Sequence, residues 1–376
     1  MIRAVCLKTE YLSNPSVIDI AFPKLFWKVQ GAVRQTAYQI KGCVDGREVY
    51  DTGKVEASDM YHKYGGELVS RNRVAWKVRL WDEADSCGEW SEEAFFEMGL
   101  LNEKDWTAKW IDPEPAHNSE ERQPASYLKK EFEVERTGHA RLYITAHGVY
   151  DAYINGIKAG DFILAPGTSQ YDVRLQYQSY DVSSLLRQGK NEIVVTIGDG
   201  WWRGDTGYGG ERNSFGTDLG LLCQLEIDKK TVLVSDGSWM ASQTGPLGHN
   251  DLMQGEQYDA RKEDICEWHP VTERKIGYGN LVCSNSFDVV EKEHFTGKRI
   301  DTPNGGLVID FGQNIAGYTQ LSGGRSRCAA RRTGSRTDGP RPDRRRGCSR
   351  ARRCRPGCHS RCRRRSASRG GRWRPA

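Results

Sequence analysis

Along most of this chain, apolar residues alternate with polar ones in short runs broken by Gly, Asn, Asp and Pro. The period is two, so the pattern predicts strands and almost no helix. The segment AWKVRLWDEADSCGEWSEEAFFEMG is typical: Trp76, Val78 and Leu80 fall on one face, Lys77, Arg79 and Trp81 on the other. Strands are expected at 26–29, 37–44, 73–82 and 94–98. A second series falls at 127–134, 139–146, 149–154, 191–197, 219–227, 231–235 and 239–242. A last pair is expected at 307–311 and 317–321, and the one short helix candidate is 183–187. Asn155-Gly156 between two apolar runs reads as a type I′ hairpin turn. The fold class is all-β.

These strands group into blocks. Residues 1–100 suit a small β-sandwich in which Trp27, Trp76 and Trp90 are expected in the core. Residues 101–125 are polar, contain Pro113, Pro115 and Pro124, and read as a linker partly pinned by Trp106 and Trp110. Residues 126–275 form a larger sandwich or jelly roll. Residues 285–324 open a third β block, and two or three strands cannot close a β-domain.

Composition adds a break that the pattern alone does not explain. From Arg325 to Ala376 the chain holds 20 Arg and two acids (Asp338, Asp343), with no Val, Ile, Leu, Met, Phe, Tyr or Lys. Such a segment has nothing with which to build a core and is expected to be disordered. The formal charge of +5 therefore averages two objects. Setting the tail's 20 arginines and two acids apart from 55 basic and 50 acidic residues leaves 35 against 48, about −13 for the body. An acidic body argues against nucleic acid or a membrane surface as its partner. The tail, at about +18, is expected to bind polyanions only weakly and without sequence preference.

Six body cysteines (Cys6, Cys43, Cys87, Cys223, Cys266, Cys283) are scattered and read as reduced thiols. The tail's Cys354, Cys358 and Cys362 lack a folded frame for a metal knuckle. The first residues carry no apolar signal-peptide core, and no apolar run approaches about 18 residues, so a cytoplasmic location is expected.

The module at 1–100 resembles a fibronectin type III or immunoglobulin-like domain. Three further words carry a more specific resemblance. They are LKKEFEVERTGHARLYITAHGVYDAYINGIKAGDFILAPGTSQYDVRLQYQSYDVSSLLRQGKNEIVVTIGDGWWRG, MQGEQYDARKE and VIDFGQNIAGYTQL. Taken together, residues 1–324 resemble the N-terminal half of bacterial α-L-rhamnosidases, glycoside hydrolase family 78. The second word looks like the close of the family's sugar-binding jelly roll, and the third like the opening of the following β-domain. Thr168 stands where the family usually has an aromatic residue after Pro-Gly, which weakens one expected stacking contact.

The resemblance implies a non-catalytic N-terminal portion, because the family carries its acidic pair in an (α/α)6 barrel that these words do not include. Inverting hydrolysis needs two carboxyl groups roughly 6.5–9.5 Å apart, and no such pair is assigned. The composition break at Gly324 is read as a frameshift, since the tail's residue set is what GC-rich codons yield out of frame.

L-rhamnose or a rhamnosylated glycan is the implied ligand, and its apolar ring face and hydroxyls call for aromatic platforms beside polar groups. The loop GDGWWRGDTGYGGERNSFG supplies Asp199, Trp201, Trp202 and Arg203, with Asp205, Tyr208, Glu211, Arg212 and Asn213 nearby. If extended, the two Trp residues point to opposite faces, and the alternative is that both cap the sandwich. Asp172 and Arg174, and Glu256, Tyr258, Asp259 and Arg261, are further candidates, or else internal salt bridges.

Related rhamnose-binding modules use Ca2+, for which Asp199–Asp205 is an oxygen-rich source of ligands. The metal ligands themselves are left unknown. The eight His residues form no cluster and are treated as incidental. Two other readings stay open: a structural β-module without ligand, and nonspecific polyanion binding through the tail.

Overall fold

In the computed structural model the described residues are 1–114, 121–207, 209–263, 266–285 and 287–320. Tyr208 and the Arg-rich tail, with its cysteines, lie outside them. Two compact units are present, Met1–His294 and a second that begins at Phe295. The fold is all-β, as the period-two pattern requires.

The first sandwich pairs a three-stranded sheet (Arg3–Thr9, Lys24–Gln30, Tyr61–Lys63) with a second sheet ordered Arg47–Asp51, Ala37–Val44, Arg73–Trp81, Ala94–Glu97. The strand Arg73–Trp81 keeps its alternation, with Val74, Trp76, Val78 and Leu80 almost fully buried beside Leu25, Trp27 and Ile40. Trp90 departs from expectation. It is half-exposed outside any strand, with Lys77 Nζ 5.2 Å and Arg79 Cζ 4.8 Å from its ring. Cation–π contact holds it on the outer face, where charged neighbours keep it out of the core.

The second sandwich has a six-stranded sheet ordered Ile157–Lys158, Val149–Ile154, Gly189–Gly198, Ser126–Val134, Met240–Ser242, His269–Pro270. Its partner sheet runs Thr272–Arg274, Trp110–Asp112, Gly220–Ile227, Ala140–His147, Leu175–Asp181, Leu281–Cys283. Two central strands, Ala140–His147 and Gly220–Ile227, are buried at every position. One face of each, through Leu142, Ile144, Leu221 and Leu225, belongs to the sandwich core. The other meets a separate cluster in which Tyr143 and Leu222 pack with Trp106, Ala108 and Trp110.

The segment 101–125 is therefore not a free linker in its described part. It covers the second face of a sheet and contributes the strand Trp110–Asp112. Its polar composition masked this, because three small or aromatic residues do the covering. Asn155 and Gly156 have φ of 51° and 81° between paired strands, as the type I′ reading requires. Ser183–Leu185 is a single 3-10 turn in place of the short helix.

The second unit's described part is a hairpin of Lys298–Asp301 and Leu307–Asp310. The expected strand at 317–321 is absent from its described positions 317–320.

Candidate binding cavity of the second sandwich

The strand Gly189–Gly198 ends in a sharp turn that only glycine tolerates. Gly200 has φ +54°, and a Cβ there lies 2.7 Å from Val149 Cγ1. Gly200–Arg203 then forms one helical turn. Trp201 and Trp202 thus do not alternate as in a strand. Trp202 turns inward against an aromatic stack, while Trp201 packs half-exposed on the cluster around Trp106.

Trp202 lies parallel to His147 at 3.8 Å, and His147 stacks on Trp110 at 4.3 Å. Gly216 closes over the indole, since a Cβ there approaches Trp202 to 2.9 Å. The indole Nε1 donates to the Asp218 carbonyl at 3.0 Å. Beside this stack a cavity of about 260 Å³ is lined by Trp110, His147, Trp202, Thr217, Asp218 and Arg274. Arg274 spans two carboxylates, with Nη1 2.6 Å from Asp112 Oδ2 and Nη2 2.5 Å from Asp218 Oδ2. Burial, reinforced by the Arg274 charge, pushes His147 down to about 4, so the imidazole is neutral at pH 7.

Asp199 and Arg203, by contrast, lie beneath the surface, 0% and 2% exposed. Arg203 Nε donates to Asp199 Oδ1 at 2.7 Å, and its Nη1 to Glu114 Oε2 at 2.8 Å. Burial raises the Asp199 carboxyl even with Arg203 beside it. Arg212 lies 3.4 Å from Asp199 and 3.3 Å from Asp205, which also accepts from Arg122 at 2.7 Å. Asp199 and Arg203 brace the loop from within and lie beneath the surface, which corrects their assignment to the sugar.

The same pairs bear on Ca2+. A guanidinium already neutralises each carboxylate that was expected to ligate the ion, and among the described residues no three His, Cys, Asp or Glu converge as ligands. The residues present do not fit the ion.

The remaining candidates are dispersed. Asp172 is exposed before the strand Leu175–Asp181, and Arg174 Nη2 donates to Asn285 Oδ1 at 3.1 Å. Glu256 and Tyr258 sit on the exposed strand Gly255–Tyr258, where burial raises the Glu256 carboxyl and Tyr258 donates to Glu263 at 2.8 Å. Asp259 is held down to about 2 by hydrogen bonds from Arg261, a surface pair fixing its own loop. The strand Leu247–Asp251, paired antiparallel with Gly255–Tyr258, meets the central loop: Asn250 Oδ1 accepts from the Asp199 N–H at 2.9 Å and Asp251 Oδ2 from the Asp205 N–H at 2.7 Å.

Of the sequence candidates among the described residues, only Trp202 lines the cavity. His147, Arg274 and Trp110 were missed. His147 ends a strand with no second His near it, Arg274 lies in a charged tripeptide, and Trp110 sat in the supposed linker.

Two packed sandwiches, one immunoglobulin-like and one a jelly roll with an aromatic cavity at its loop end, define the class by fold. Residues 4–102 match the Rha78A-like N-terminal immunoglobulin domain, and residues 135–289 the alpha-L-rhamnosidase N-terminal domain. An α-L-rhamnosidase of Formosa agariphila is 35% identical over 327 residues, 80% of this chain and 35% of that protein. The crystal structure of native α-L-rhamnosidase from Aspergillus terreus aligns with a TM-score of 0.77 and 31% identity over 84% of this chain and 39% of that one. The Streptomyces avermitilis α-L-rhamnosidase complexed with L-rhamnose shares the fold, with a TM-score of 0.75 at 23% identity over 84% of this chain and 49% of that one. The chain carries the N-terminal domains of the α-L-rhamnosidase family. It spans about a third of the length of the Formosa relative.

Proposed function

We propose that this chain acts as a non-catalytic, carbohydrate-binding portion of an α-L-rhamnosidase, and that L-rhamnose, free or at a glycan end, occupies the cavity beside Trp202. The observation that carries the reading is the convergence of the Trp110–His147–Trp202 stack with the Arg274–Asp218 pair around about 260 Å³. That volume is close to the lower end of ligand pockets, about 300 Å³, and suits one small ring. The Streptomyces relative crystallised with L-rhamnose supports the choice of sugar.

Isothermal titration of the full chain with L-rhamnose, against D-glucose as control, tests it. Saturable heat with rhamnose, markedly weakened in Arg274→Gln, is expected. No heat favours the second reading, a scaffold module without ligand, for which the ion pairs Arg141–Glu97 and Arg71–Glu226 between the sandwiches speak. Incubation with p-nitrophenyl α-L-rhamnoside is expected to yield no turnover. Turnover abolished by substituting a carboxylate of this chain overturns the non-catalytic assignment.

The composition break after Gly324 enters the same proposal as an out-of-frame stretch. Reading the coding DNA there in the other two frames should restore alternating strand pattern, and an intact frame without it sinks the idea.

A further inference from the structure

We propose that the outer face of the first sandwich's three-stranded sheet binds an acidic polysaccharide, a chain of uronate-bearing pyranose rings. The proposal is independent of the rhamnose cavity.

Cross-strand register sets the face. Lys8 lies opposite Phe26, Phe26 opposite Tyr61, and Lys24 opposite Lys63. Lys28 follows two residues on along the same strand, so it shares the face with Lys24 and Phe26. Tyr11 stacks on Phe26 at a centroid distance of 4.3 Å, and Phe26 lies 6.1 Å from Tyr61. The two tyrosines are 61% and 47% exposed, so their rings are presented to the outside.

Among the described residues these lysines carry no ion pair, unlike two on the other side of the same sandwich. On the opposite sheet, Lys41 pairs with Glu48 and Asp51, and Lys54 with Glu56 and Asp85. Among the described residues, Lys8, Lys24, Lys28 and Lys63 have no carboxylate within ion-pair distance. Glu10 Oε1 accepts the Lys24 backbone N–H at 2.6 Å.

Like charges directly across a strand pair destabilise it, yet Lys24 faces Lys63. An anion lying between them removes that repulsion. Unpaired cations gathered on one face of a net-acidic body are also where an anionic partner is drawn.

The exposed rings choose among anions. A tyrosine face accepts the apolar side of a pyranose, its hydroxyl bonds the sugar's hydroxyls, and the adjoining ammonium pairs with a uronate carboxylate. Single-stranded nucleic acid also stacks on aromatics beside cations. The glycan is favoured because this sheet belongs to an N-terminal module of a glycosidase family.

Lysine acetylation footprinting of the full chain, read by mass spectrometry, tests the proposal. The Arg-rich tail contains no Lys, so its own polyanion binding is invisible to this readout. With polygalacturonate at about twice its dissociation constant and low salt, Lys24, Lys28 and Lys63 should react about threefold more slowly, as two-thirds occupancy requires. Lys129, Lys130 and Lys262 should be unchanged, and dextran should have no effect. The Tyr11→Ala, Tyr61→Ala double variant should lose the protection. Lys28→Gln, which leaves the rings in place, should weaken it. Equal protection by oligo-dT overturns the proposal in favour of nucleic acid. Uniform protection of all lysines, or none at the three, overturns it outright.

Discussion

Arg141 of the second sandwich reaches Glu97 of the first through two hydrogen bonds, Nε to Oε2 at 2.8 Å and Nη2 to Oε1 at 2.5 Å, and both side chains are buried. Arg71 mirrors it in the other direction, gripping Glu226 with Nε and Nη2, both at 2.6 Å. Two bidentate pairs of opposite polarity fix the junction in rotation as well as in distance. Removing Glu97 leaves the buried Arg141 guanidinium with only the half-exposed Asp181, whose Oδ2 lies 3.0 Å from Nη1. Glu97→Ala should therefore destabilise the protein by about 3–5 kcal/mol, read from urea unfolding. It should also open the segment near residue 100 to limited proteolysis. A loss below about 1 kcal/mol, the scale of an exposed pair, contradicts the role given to the junction.

His147 makes stability depend on pH. Its folded value, about 4, lies below the 6.5 of an unperturbed imidazole, so the unfolded chain binds the extra proton first. The native state is then penalised as pH falls from about 6.5 towards 4, by an amount on the order of 3 kcal/mol. His147→Phe keeps the ring stack and removes the proton. Thermal unfolding of this variant should show a shallower fall than the parent across that window. Parallel profiles reject the assignment.

Gly200 should tolerate no side chain. Gly200→Ala places a Cβ against Val149 at a left-handed φ, at a cost of about 1–3 kcal/mol from the backbone alone. The turn carries Trp202 and Arg203, so loss of near-ultraviolet tryptophan dichroism should accompany the lower melting temperature. An unchanged spectrum at unchanged stability contradicts this.

The cavity reading predicts a graded response to rhamnose. Arg274→Gln removes the charged donor and should weaken binding about 10–100-fold, the worth of a hydrogen bond to a charged group. Asp199→Asn alters only the buried brace. It should lower stability more than affinity, and the reverse result relocates the sugar to the Arg203 network.

Much of the architecture was legible locally. The strand Arg73–Trp81 declared both its faces, and Asn155-Gly156 declared its turn. The strand Leu175–Asp181 was not anticipated, because Ser179 and Tyr180 break the alternation begun by Leu175 to Gln178, and Tyr177 and Tyr180 are buried by different neighbours. Ala140–His147 reads as a strand in sequence, but nothing in its eight residues announces that both faces are covered. The site was less legible still. A Trp pair in a Gly-rich loop was found, yet whether it runs as strand or helix depends on Gly200 meeting Val149.

The sequence by itself determined that the chain is all-β, where its turns fall, that its character breaks at Gly324, and which family it resembles, because those signals lie within a few neighbouring residues. Only the tertiary structure decided that Asp199 and Arg203 are an internal brace and that Trp110, His147, Trp202 and Arg274 enclose one cavity. Asp112 and Arg274, 162 residues apart, share a hydrogen bond of 2.6 Å there. Period and propensity act along the chain, whereas burial and charge pairing act across it, and the site is made of the second kind.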